Sequence, residues 1–90
     1  MPIYTVVLDY KGGTYISQVK ARTYKEACLK WADELDPKVI FGMGSMGKAS
    51  LQKELAGEEP VLIQGLKNVW CLWASVRGKQ ALINIIQTEI

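Results

Sequence analysis

The sequence predicts an α+β fold with one antiparallel sheet of about five strands in the order β-β-α-α-β-β-β and the helices packed on one face. Three observations predict it. The first and last thirds are rich in β-branched and aromatic residues, the middle third has apolar residues at helical spacing, and glycine-containing turns separate the segments. With 49% hydrophobic residues, the 90-residue chain can bury a core as a single domain over residues 1–90.

A β-hairpin is predicted at the start of the chain. Residues 3–10 and 14–21 are both typical of strands, and Lys11, Gly12 and Gly13 lie between them. Glycines supply the positive φ angles that a tight connection needs.

A first helix is predicted over residues 24–35. Thr23 and Glu26 have the spacing of a capping box, in which each side chain bonds the other residue's backbone N–H. Pro37 ends the helix, because the residue before proline avoids the helical region. The apolar face consists of Tyr24, Ala27, Cys28, Trp31, Ala32 and Leu35.

The next segment predicts a second helix. Residues 39–41 are apolar and suit either a short strand or a helical turn. Ser45 is expected to cap a helix from about 46 to 56, and Gly57 is expected to end it.

The last third predicts three strands, at residues 61–63, 68–76 and 80–88, with a turn over residues 77–79 joining the last two. Both long strands are apolar at nearly every position. This pattern indicates strands covered on both faces, or covered by helices on one face and by a partner on the other.

Composition excludes several function classes. The basic residues are scattered among the acidic ones and the net charge is only +2, so nucleic acid is not favoured as a partner. The first residues lack the pattern of a signal peptide, and no apolar run reaches the length of a membrane span. We therefore expect a cytoplasmic protein with no membrane partner, in which Cys28 and Cys71 are free thiols.

Histidine is absent from the chain, which removes the commonest general base and the commonest metal ligand. No serine or cysteine lies in a nucleophile elbow. We therefore expect no enzyme activity, no catalytic residues, no metal and no cofactor.

The stretch GMGSMGK at residues 42–48 matches two phosphate-binding patterns, G-x-G-x-x-G and G-x-x-x-x-G-K. Ala49 stands where the second pattern needs a hydroxyl for magnesium, and hairpins rather than parallel strands flank the stretch. We favour a connection between two helices, and keep phosphate binding as an alternative. Its candidate ligands are Gly42, Gly44, Gly47 and Lys48.

Two tryptophans in the strand at residues 68–76 suggest a binding surface. Trp70 and Trp73 are three residues apart, so in a strand they point to opposite faces. Either both belong to the core, or one apolar sheet face binds a partner, because tryptophan is enriched at interface centres. The candidate partner-binding residues are Trp70, Leu72, Trp73, Ile83 and Ile85.

The chain also shows two family resemblances. Tyr4 to Asp9, Gly12 to Ile16 and Thr23 to Ala27 resemble the strand-turn-strand-helix opening of the HicB-type antitoxins. The whole chain, especially residues 68–71 and 77–88, is similar to a group of short uncharacterised bacterial proteins of the cyanobacterial type. The first resemblance implies a regulatory role, and the second implies no activity.

These observations together predict a protein-binding or self-associating module that uses an apolar sheet face, with a protein partner or a homodimer as the expected assembly. Two alternatives stay open. One is a regulatory or inhibitory module of the antitoxin or immunity type, and the other is a nucleotide- or phosphate-binding module that uses residues 42–48.

Overall fold

The computed structural model describes residues 1–89, and it has an antiparallel sheet of five strands with two helices on one face. This confirms the predicted α+β class and element order. The elements are β1 (Ile3–Tyr10), β2 (Gly13–Lys20), α1 (Tyr24–Glu34), a 3₁₀ helix (Pro37–Val39), α2 (Gly44–Gly57), β3 (Val61–Leu62), β4 (Val69–Val76) and β5 (Lys79–Glu89).

The strands lie side by side in the order β2-β1-β5-β4-β3, and every neighbouring pair is antiparallel. The last strand therefore lies between the first hairpin and β4, which joins the two ends of the chain in one sheet. Both hairpin turns have two residues with positive φ: Lys11 and Gly12 between β1 and β2, and Arg77 and Gly78 between β4 and β5. Such turns match the natural twist of paired strands.

The core lies between the sheet and the helices. Alternate residues of β1 and β5 point towards the helices and are buried, as strand geometry requires. α1 packs against β1, β2 and β5, while α2 packs against β4 and α1. Among the largest fully buried side chains are Leu8, Leu51, Leu55, Ile83 and Ile85.

α1 begins at Tyr24 as predicted, but of the two bonds of the predicted capping box only the one to the Thr23 hydroxyl is found among residues 1–89. The Glu26 N–H donates to Thr23 Oγ1 over 3.1 Å, which satisfies one of the free donors of the first turn.

The start of α2 differs from the prediction, because Ser45 does not cap it. The helix begins at Gly44, two residues earlier than expected, and its N-cap is Met43, which makes no side-chain cap bond. Met43 is only 2% exposed, so its side chain fixes the helix start by packing in the core. Before it, Asp36 caps the 3₁₀ helix by accepting from the Lys38 N–H over 3.0 Å.

Candidate functional site

The two tryptophans of β4 lie on opposite faces of the sheet, as their spacing predicts. Trp70 faces the helices, where its ring stacks on Tyr24 with centroids 4.5 Å apart and an interplanar angle of 13°. Trp73 faces the other side of the sheet and is 55% exposed. Of these two tryptophans, Trp73 is thus the one presented to solvent, on the side of the sheet opposite α1 and α2.

The five predicted partner-binding residues do not form one surface, and this part of the prediction needs correction. Leu72, Ile83 and Ile85 alternate with the outward-facing positions and are at most 5% exposed beneath the helices. Trp70 lies on the same covered side, partly buried. The prediction joined residues of both faces in one set, although the two-residue period of a strand separates them.

The sheet surface opposite the helices is called the open face below. It can be read as three rows that cross β2, β1, β5 and β4, since paired residues point to the same side. The rows are Gln18, Thr5, Ile86, Val69; then Ile16, Val7, Asn84, Cys71; then Thr14, Asp9, Leu82, Trp73.

The centre of the open face, which the three rows form, is poor in charge, while Lys20 and Glu89 lie at one end of the face in the row of Ile3. Asp9 is the one charged side chain in its three rows, whereas the outer side of α1 carries Lys25, Glu26, Asp33 and Glu34. Depletion of charge with exposed aromatic and aliphatic side chains is the composition of an interface core rather than of an ordinary solvated surface.

Several polar side chains of the open face bond one another. The Thr14 hydroxyl donates to Asp9 Oδ1 over 2.7 Å, and Gln18 Nε2 donates to Thr5 Oγ1 over 3.0 Å. The hydroxyls of Thr5 and Thr88 lie 2.5 Å apart. Burying a polar group costs less free energy when the group already has a hydrogen-bond partner than when it has none.

A shallow depression of about 390 Å³ lies beside Trp73 on the open face, next to the first hairpin turn. Its walls include Asp9, Gly12, Leu82 and the Trp73 ring itself. A protruding aromatic ring and a depression therefore lie side by side on the same surface.

The glycine stretch at residues 42–48 serves local structure. Lys48 Nζ donates to the Asp33 carbonyl over 2.8 Å, so its ammonium binds the last turn of α1. Gly47 is buried, and a Cβ there would lie 2.9 Å from Met43 Cγ. Gly42 and Gly44 have positive φ, which allows the chain to enter α2.

A second polar cluster ties α1 to the segment that follows α2. The Tyr24 hydroxyl donates to Glu59 Oε1 over 2.9 Å, and Lys25 lies 3.4 Å from the same carboxylate. The bond from Tyr24, and then Lys25, hold the pKa of Glu59 below its ordinary value. The same bond raises the pKa of Tyr24. The cluster is exposed, and it holds Tyr24 against Trp70.

The two cysteines are free and lie in different environments. Cys28 is in the core, where burial raises the pKa of its thiol to about 11, whereas Cys71 lies half-buried on the open face. Across residues 1–89 no three His, Cys, Asp or Glu side chains come together as a metal-binding group. Neither helix in that range has the length and apolar character to cross a bilayer.

Comparison of the chain with protein-family models, with curated proteins and with solved structures finds no match. The open face is therefore interpreted from its own residues.

Proposed function

We propose that this chain is a cytoplasmic protein-binding module that associates with a second copy of itself through the open face. The observation that carries the proposal is a charge-poor sheet surface, uncovered by any helix, on which Trp73 is 55% exposed. A tryptophan at such a site is the residue type that most often dominates binding energy.

The area of the open face suits a dimer. Four of its strands have eight or more residues. At about 4.8 Å between strands and about 3.3 Å per residue, these four strands present roughly 500 Å² in projection. Side-chain relief raises the accessible area above its projection, towards the roughly 800 Å² per partner of a specific interface.

Trp73 supplies much of the binding free energy of the proposed dimer. Burial of a tryptophan removes roughly 150–250 Å² from water, so covering the exposed half removes about 100 Å². At about 25 cal/mol per Å², that burial is worth roughly 2.5 kcal/mol per protomer.

A second copy is the occupant that the surface shape favours. In a two-fold dimer each surface meets itself, so a protrusion needs a matching hollow on the same face. Trp73 and the depression beside it are such a pair, with Leu82 as an apolar wall of the hollow. Asp9 lines the hollow and already accepts a hydrogen bond from Thr14, and Lys11 also lines it, with a charge opposite to that of Asp9.

Sedimentation equilibrium over a range of protein concentrations tests the proposal. The unchanged chain is expected to form dimers, and Trp73→Lys is expected to weaken the dimer at least about 100-fold, because each interface holds two copies of the residue. Phe41→Lys is the matched control, since Phe41 is a large side chain, 74% exposed, that lies outside the open face.

Two results would contradict the proposal. One is a monomer of the unchanged chain at millimolar concentration. The other is a dimer that Trp73→Lys leaves intact and Phe41→Lys disrupts.

A further inference from the structure

The two edges of the sheet differ in how far other parts of the chain cover them. The β4 edge is covered: β3 pairs with Cys71 and Trp70, and Glu54 Oε1 of α2 accepts from the Ser75 N–H over 3.2 Å. In the part of the chain that the structure describes, residues 1–89, no strand pairs with the outer edge of β2. Exposed strand edges are ready to pair with another extended chain, and proteins commonly block them.

The outward groups of β2 follow from the hairpin register. In an antiparallel hairpin with a two-residue turn, the pair of residues next to the turn exchanges backbone hydrogen bonds, and so does every second pair after it. The pairs in between point their backbone N–H and C=O groups away from the partner strand. Counted from the Tyr10–Gly13 pair, the outward residues are Thr14, Ile16, Gln18 and Lys20. The Lys20 carbonyl is already taken, because Lys30 Nζ donates to it over 2.8 Å.

Three residues of the edge are left open. Thr14, Ile16 and Gln18 are all exposed, and no turn, loop or cap hydrogen bond of the described residues 1–89 engages their backbone groups. An added strand would find donors and acceptors at three alternate positions.

A groove of about 470 Å³ runs beside this edge. One wall is β2 and the other is formed by the end of α1 and the 3₁₀ helix, with apolar lining from Trp31, Leu35 and Val39. Its volume is in the range of peptide and ligand pockets. A strand added to β2 would direct every second side chain into this groove.

The groove carries negative charge at one wall. Glu34 and Asp36 line it, both exposed, and the last turn of α1 contains no basic residue. The negative end of the helix dipole adds to their potential. Lys30 of α1 donates to the Lys20 carbonyl, and Lys38 belongs to the 3₁₀ helix, but neither lysine lines the groove.

We propose that this groove binds an extended peptide segment that pairs with β2 as a sixth strand. The segment presents apolar side chains to Trp31 and Leu35, and one lysine or arginine to Glu34 and Asp36, on alternate positions. Backbone hydrogen bonds provide the affinity, and the groove determines which peptide side chains are accepted, as in other cases of strand addition. The site uses the outward backbone groups of Thr14, Ile16 and Gln18, whose side chains belong to the open face, but its groove lies on the helix side of the sheet. Peptide binding there does not require self-association.

A second copy of β2 fits the groove less well. The β2 side chains on the helix side of the sheet are Tyr15, Ser17 and Val19, none of which is a cation. Edge-to-edge pairing of two copies would leave Glu34 and Asp36 without a partner charge.

The test uses two acetylated, amidated peptides, Thr-Leu-Thr-Lys-Thr-Val-Thr and the same peptide with Glu in place of Lys. Amide hydrogen exchange is followed by NMR on the full chain. The lysine peptide is expected to slow exchange of Ile16 and Gln18 by at least about tenfold, because their N–H groups become bonded. Ser17 and Val19 already bond β1, so their rates change little.

Three variants and one altered peptide make the test specific. Ile16→Pro removes an outward N–H without removing a β1 bond, and is expected to abolish binding, while Ile16→Thr keeps the N–H and binding. Glu34→Lys places a lysine beside Asp36, so the two charges of the wall cancel, and it is expected to abolish the preference between the two peptides. A lysine peptide N-methylated at alternate backbone positions leaves the protein unchanged and is expected not to bind.

Three results would overturn the proposal. These are unchanged Ile16 and Gln18 exchange at millimolar lysine peptide, equal effects of the lysine and glutamate peptides, and slowing that depends on protein concentration without peptide. The last would mean that a second copy occupies the edge. None of these results bears on whether Trp73 mediates dimerisation.

Discussion

Replacement of Gly47 by alanine tests whether the glycines of residues 42–48 serve packing. An alanine in a helix interior is more favourable than glycine by about 0.5–1 kcal/mol, so propensity alone predicts stabilisation. In this structure the added Cβ would lie 2.9 Å from Met43 Cγ and 3.6 Å from Val76 Cγ1. Both neighbours are buried, so neither side chain has free space to move into.

Overpacking of this kind costs about 1–3 kcal/mol. The net expectation for Gly47→Ala is a loss of about 1 kcal/mol in the free energy of unfolding after the propensity gain is subtracted. Gly57→Ala is the matched control, because a Cβ there meets nothing within 4 Å and its φ is not positive. It is expected to gain about 0.5 kcal/mol.

The assay is urea unfolding followed by tryptophan fluorescence, at one fixed protein concentration so that self-association is constant. Equal stabilisation of the chain by Gly47→Ala and by Gly57→Ala would contradict this expectation. That outcome would mean that α2 can move away from β4 at no cost, and that the close contact at Gly47 does not constrain the helix.

Three further predictions concern individual contacts. Lys48→Met removes the bond to the Asp33 carbonyl and is expected to cost about 1 kcal/mol in urea unfolding, whereas an unchanged midpoint would show that the bond contributes nothing. Tyr24→Phe is expected to raise the lowered pKa of Glu59 towards its ordinary value of 4.5, measured by NMR titration of the carboxyl carbon. Folding lowers the pKa of Glu59, so its ionised carboxylate stabilises the folded chain above pH 4.5, and this stabilisation is lost as the pH falls through the pKa of the folded state. Identical Glu59 titration curves in the unchanged chain and in Tyr24→Phe would contradict this expectation. Cys28, with a pKa of about 11, is expected to resist iodoacetamide at pH 8 in the folded chain and to react in urea, and rapid modification of the folded chain would show that its burial is transient.

Local sequence patterns were sufficient to predict most elements of the fold. Thr23 predicts the start of α1 correctly, because the Glu26 N–H that bonds its hydroxyl lies within one turn, whereas the return bond from the Glu26 carboxylate is not found in residues 1–89. The start of α2 was predicted wrongly at Ser45. Its position depends on Met43, whose burial is a tertiary contact that no local pattern contains.

The binding surface was only partly predictable. The spacing of Trp70 and Trp73 predicts opposite faces, but the choice of the open one depends on where the helices pack. The same two-residue period, applied to Ile83 and Ile85, would have separated them from Trp73 once the register with β4 was known. The groove beside β2 could not be predicted from local patterns, because predicting it requires the strand order of the whole sheet.

The most direct test of the open face as a self-association surface is an isotope-filtered NMR experiment on a mixture of labelled and unlabelled chains. Intermolecular contacts are expected between the Trp73 ring of one chain and the Leu82 methyl groups of the other, since these residues form the protrusion and the wall of the hollow. Absence of these contacts at a concentration where the chain sediments as a dimer would contradict this expectation, as would intermolecular contacts confined to β2.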